Sequence, residues 1–146
     1  MHQIKHNIQQ IHINRTLYLD ANNTKSYPGT GTTWFDLSGN SRNFTWATTP
    51  TFTNDTQKYF NTLNNRCTGP ASNSFGITNT SGYTIILIMR QNSLQSASAF
   101  KFYGTGALAS TRGIFSHSTW NDGNIYFDQG GCCNADTRTS VSAGGD

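Results

Sequence analysis

Tyr83-Thr84-Ile85-Ile86-Leu87-Ile88-Met89-Arg90 is the strongest strand signal in the 146-residue chain. Its near-continuous apolar run predicts a strand covered on both faces, as in the middle of a sandwich. Shorter strand patterns lie on either side. Upstream, Phe44–Ala47, Thr51–Thr53 and Lys58–Phe60 are short β candidates separated by polar residues. Downstream, Phe100–Tyr103 alternates, Ile114–Phe115 is a short candidate, and Arg138–Val141 is a weak last one. Between them, Trp120-Asn121-Asp122-Gly123-Asn124-Ile125-Tyr126-Phe127 sets Asp-Gly between apolar residues, a hairpin signal of type I′ chemistry.

Composition agrees with this pattern. The chain holds 21 Thr, 16 Asn, 14 Ser and 14 Gly, and no Glu. Thr and aromatic residues favour strands, Asn and Gly favour turns, and the strong helix formers are scarce. Leu, Ile, Val and Phe together number only 27, but 18 aromatic residues supply the missing core area. With a net charge of +3, this is an aromatic-rich globular chain and not a disordered one. Residues 26–43 are turn chemistry punctuated by Pro28-Gly29 and Gly39-Asn40, with Trp34, Phe35 and Leu37 as anchors. Residues 61–74 are expected to form a loop. The fold class is all-β, built from short antiparallel strands in a sandwich or barrel.

Two regions divide the chain. Ile4, Ile8 and Ile11 are spaced for one helical face, so residues 1–14 are expected to be an arm or short helix. Residues 15–146 form the domain, beginning with a strand near 15–21. No segment approaches the ~18 apolar residues of a membrane span, and the N-terminus lacks the apolar core of a secretion signal. The 10 basic residues are scattered, so no nucleic-acid footprint is expected. Asn-x-Ser/Thr sequons begin at Asn14, Asn22, Asn43, Asn54 and Asn79, as chance allows in a chain this rich in Asn and Thr.

Leu17-Tyr18-Leu19-Asp20-Ala21, then Ser26-Tyr27-Pro28-Gly29-Thr30-Gly31-Thr32-Thr33-Trp34, then Asp36-Leu37-Ser38-Gly39-Asn40 resembles the opening of LamG-like jelly-roll domains. These belong to the concanavalin A-like lectin and glucanase superfamily and are common in phage and large-virus surface proteins and in bacterial adhesins. Residues 113–134 resemble a later stretch of such proteins. The resemblance covers about 15–141 and implies an antiparallel jelly-roll β-sandwich. It departs at the C-terminus, where the family runs on through further strands. The expectation is therefore a sandwich that lacks its C-terminal strands, completed by sequence beyond 146 or by a neighbouring chain, since open strand edges invite pairing.

The related glucanases place acidic residues at alternate strand positions, aimed at the sugar. Here there is no Glu, and no two of the seven Asp alternate; Asp122 and Asp128 are the nearest pair that could face each other across a sheet. His117 lies between Ser116 and Ser118 without a triad's pattern, and G-x-S-x-G is absent. The sequence therefore reads as a non-catalytic domain and not an enzyme.

Three sites are candidates. His117, Trp120, Asn121, Asp122 and Asn124 combine an aromatic face with polar groups suited to carbohydrate. Asp36, Ser38 and Asn40 offer oxygens at alternate positions, as calcium loops do, although the same residues also make an ion-free turn. Adjacent Cys132 and Cys133 are the candidate vicinal disulfide, a strained ring, against the plainer reading of reduced thiols. The function expected is a surface domain of a virion or phage structural protein, a fibre, spike or minor capsid component, with carbohydrate or receptor binding. Its partners would be other virion proteins, copies of itself and a host-surface glycan, at the virion surface. The alternative is a secreted or cell-surface carbohydrate-binding adhesin module.

Overall fold

The computed structural model describes residues 15–62, 65–77, 82–91, 93–94, 98–103, 112–129 and 138–143. The arm at 1–14, the sequons at Asn14 and Asn79, and the Cys132–Cys133 pair lie outside these. Every described strand is antiparallel to its neighbours, and no α-helix occurs among the described residues. The chain forms two compact units, residues 1–70 and 71–146.

The first unit contains β1 (Thr33–Trp34), β2 (Phe44–Trp46), β3 (Thr51–Thr53), β4 (Tyr59–Asn61) and β5 (Cys67–Thr68). Strands β1, β2 and β5 make a sheet in the order β1-β2-β5, and β3 pairs with β4 as a hairpin. These strands are too short to hold together by their ladders alone. Aromatic rings supply the rest. Phe60 sits at the centre, with Tyr27, Trp34 and Trp46 each 4.7 Å away and Phe52 at 5.1 Å. Such edge-on and tilted ring pairs contribute about 0.5–1.5 kcal/mol each beyond area burial. Tyr27 and Trp46 are buried in this cluster. Alternation in β2 points Trp46 inward and leaves Thr45 exposed.

The expected strand near 15–21 does not form. Residues 15–20 form no regular element and serve the following loop instead: Leu37 N donates to Tyr18 O (2.8 Å), and Tyr18 N donates to the Asp36 carboxylate (2.9 Å). A side-chain acceptor has replaced the ladder partner that a strand would need. Residues 26–43 are turns as expected, apart from two-residue β1. Within 61–74, expected to be a loop, the structure has β5 and a 3-10 turn at Ser72–Phe75.

The second unit holds a four-stranded antiparallel meander, β6 (Ser98–Tyr103), β7 (Arg112–His117), β8 (Asn124–Gln129) and β9 (Arg138–Ser142), in the order β6-β7-β8-β9. In β7 the consecutive residues Ile114 and Phe115 are both buried, so this interior strand is covered on both faces. Phe75 packs edge-on against Phe102 of β6 at 5.4 Å.

Tyr83–Arg90 departs furthest from expectation. It pairs with no described strand, and its apolar side chains are exposed, Ile86 by 81% and Ile88 by 93%. Strand propensity reports how well side chains fit a pleated, half-buried surface. Without a neighbouring strand it does not create one.

Candidate functional site

The β7–β8 hairpin carries most of the residues singled out for carbohydrate. Gly123 N donates to Trp120 O (2.9 Å), and Trp120 N donates to Asn124 O (2.7 Å). Gly123 has φ +81°, and Asp122 is not left-handed. The turn is therefore a three-residue loop with a left-handed glycine at its end, not the expected type I′ turn, which needs two positive φ angles. Asp122 sets this geometry by accepting from the Asn124 amide (3.0 Å) and from the Tyr126 hydroxyl. The Tyr126 phenol, then the Asn124 amide, hold the Asp122 carboxyl below its ordinary pKa. In return Asp122 raises that of Tyr126.

Trp120 and Asn124 are half-buried here, and Asn121 and Asp122 are exposed. His117 differs from the others. It is buried beneath the loop, with the Trp120 ring edge-on at 4.8 Å. The structure therefore gathers Trp120, Asn121, Asp122 and Asn124 at one hairpin end and gives His117 a supporting place.

His117 belongs to a chain of polar groups that crosses all four strands of the meander. Its Nδ1 lies 3.0 Å from Ser98 Oγ of β6, and its Nε2 lies 3.1 Å from Asp128 Oδ2 of β8. Arg138 of β9 closes the chain with two bonds to Asp128, 2.6 and 2.8 Å long. Asp128 has no solvent exposure. The Arg138 bonds, assisted by His117, outweigh burial and hold its carboxyl below the usual range. An ionised carboxylate can only accept, so Nε2–H donates to Asp128. In the neutral ring Nδ1 is then the acceptor for the Ser98 hydroxyl. Arg138 also lies 4.4 Å over the Tyr126 ring, which ties this chain to the loop through Tyr126 and Asp122.

Strand pairing explains the alignment. Ser98 is opposite His117, and Asp128 is opposite Arg138. His117 pairs with Tyr126, so Asp128 is its diagonal neighbour on the same face. Sequence reasoning found His117 and missed Ser98 and Arg138, which are 19 and 21 positions away. Only period-two spacing, which puts Phe115 with His117 and Tyr126 with Asp128, hinted at a shared face. The pairing of Asp122 with Asp128 considered for hydrolysis is not made: Asp122 serves Tyr126, and Asp128 serves Arg138 and His117.

The structure also brings Asp36, Ser38 and Asn40 together, with the polarity opposite to that of a cation site. The Asp36 carboxylate accepts from the backbone amides of Tyr18, Ser38 and Arg42 and from the Ser38 hydroxyl, at 2.7–3.0 Å. Asn40 Nδ2 donates to Ser38 Oγ (2.9 Å). Burial pushes the Asp36 carboxyl up, and these donors outweigh it and bring it below its ordinary value. Both Asp36 carboxylate oxygens and Ser38 Oγ therefore already accept from N–H or O–H groups. Among the described residues, no group of three or more His, Cys or Asp residues is arranged to hold a metal. Cys67 is half-buried in β5, and burial pushes its thiol up to about 12, so it stays protonated and unreactive.

No family model, curated protein or solved structure matches the chain.

Proposed function

We propose that this chain is a LamG-like jelly-roll surface domain of a virion structural protein, and that the end of the β7–β8 hairpin is its carbohydrate-binding site. The observation that carries the binding reading is the partly exposed Trp120 beside exposed Asn121 and Asp122, on a turn braced from below by buried groups. An indole offers an apolar face to the C–H side of a sugar ring. The neighbouring carboxylate and amide bond hydroxyls, and a braced turn reduces the ordering cost of binding. The all-antiparallel strand pattern and the Leu17–Asn40 motif support the fold assignment. A fibre, spike or minor capsid component is the setting that such a domain suits.

A glycan array probed with the folded chain tests the site. Binding to at least one glycan is expected, and Trp120→Ala should weaken it at least tenfold in a variant that still melts cooperatively. A chain that binds no glycan, or a Trp120→Ala variant that binds as the parent does, would overturn the assignment. Proteomics of purified particles tests the setting, and absence of the chain from them would remove it.

A further inference from the structure

We infer that Ser98 is an activated nucleophile, with His117 as its base and Asp128 as the group that orients the base, so that the meander carries a hydrolytic site for carboxylic esters. This goes beyond carbohydrate binding and does not depend on it.

Three features of the meander support this role. The first is polarity. Asp128 accepts the hydrogen bond from Nε2–H, which leaves the Nδ1 lone pair 3.0 Å from Ser98 Oγ. A general base must present that acceptor to the hydroxyl it deprotonates, within about 2.6–3.2 Å. The third group of such a triad orients the ring and remains ionised. The two bonds from Arg138 fix Asp128 in that state.

The second is access. His117 and Asp128 are buried, whereas Ser98, the first residue of β6, is only half-buried. Ser98 is thus the least buried of the three groups along the proton path.

The third is an irregularity in the ladder at this residue. Ser98 pairs with His117 and Phe100 pairs with Ser116, so the register passes over Ala99. Bulges of this kind re-aim side chains and recur beside active sites. Ala99 also follows the nucleophile, the position whose backbone N–H commonly serves as an oxyanion donor.

The chemistry balances with water as the only co-reactant. Ser98 Oγ bonds to the ester carbonyl carbon as its proton passes to His117 Nδ1. The carbonyl oxygen carries the negative charge, with the Ala99 N–H as the candidate donor to it. The bond to the leaving alkoxy oxygen then breaks, and that oxygen takes the proton from Nδ1. Water attacks the resulting acyl-Ser98 ester and gives one proton to Nδ1. Collapse releases the acid and returns that proton to Ser98 Oγ.

The test uses a fluorophosphonate probe with peptide mapping, and p-nitrophenyl acetate hydrolysis on the same protein. We expect a single phosphonyl adduct on Ser98. Ser98→Ala, which removes one half-buried oxygen, should lower kcat/KM at least about 100-fold, in line with general-base catalysis. His117→Gln should cost about the same, and the double variant no more than either alone, because the pair acts as a unit. A purely structural hydrogen bond would not give that non-additivity in kcat/KM. No adduct on a chain that melts cooperatively, an adduct elsewhere, or hydrolysis unchanged in Ser98→Ala would each overturn the inference.

Discussion

Asp128 shows what one buried carboxylate costs and supplies. It is removed from water and offset by a two-bond guanidinium contact and an imidazole N–H. Removing Asp128 leaves the part-exposed Arg138 guanidinium and the buried His117 N–H without their acceptor, at about 1–3 kcal/mol for a buried group left unsatisfied. Asp128→Ala should therefore destabilise the chain by about that amount in urea unfolding. The sign of the pH dependence follows from the lowered pKa. A group depressed in the folded state stabilises it above the unfolded carboxylate pKa of about 3.9. That contribution is lost as pH falls below about 4 toward the folded value. Asp36 is also depressed and adds to the same trend. Parent unfolding midpoints should thus fall between pH 6 and pH 3, and the Asp128→Ala variant should lose less over that range. An equal loss in both would show that Asp128 is not the titrating group. At Gly69 the constraint is steric. A Cβ there would overlap the Phe44 ring, a rigid neighbour. Gly69→Ala should cost about 1–3 kcal/mol by overpacking, read as a lower melting temperature.

At the scale of elements, strands and hairpins came through the sequence unevenly. The expected Thr51–Thr53, Phe100–Tyr103 and Arg138–Val141 segments became β3, β6 and β9 within two residues, because alternation is a local property. The Asp-Gly hairpin was also found, but its turn geometry was not. One positive φ angle at Gly123 closes it, and Asp122 side-chain bonds settle that choice in place of backbone propensity. Gly123→Ala puts a Cβ on a left-handed residue, costing about 1 kcal/mol. The variant should melt lower, and its Trp120 emission should shift if the loop loosens. Ser98 and Arg138 could not have been found locally, since their neighbours are fixed by cross-strand pairing.

For the whole molecule, composition was enough to exclude helical architectures, and the described residues are all-β and turn. It could not assign partners to strands. Tyr83–Arg90 has the composition of an interior strand, yet its side chains face solvent among the described residues. Single exposed apolar residues are ordinary, but a contiguous run of them promotes association. The double variant Ile86→Thr and Ile88→Thr should change unfolding free energy by no more than about 0.5 kcal/mol, as exposed substitutions do, and should lower light scattering at high concentration. A large loss of stability would instead place these side chains in a buried interface.

The chain of groups from Ser98 to Arg138 also bears on how the outermost strand finds its place. Four of the five residues of β9 are exposed, including Val141 by 61%. Hydrophobic alternation therefore gives this strand little reason to prefer one alignment over a slipped one. The clasp of Arg138 on Asp128 supplies that reason. Sliding β9 by one residue would turn the guanidinium to the opposite face and strand a buried anion. Slippage is thus penalised electrostatically where apolar packing cannot do so, and a single ion pair acts as the alignment pin for the edge of the sheet.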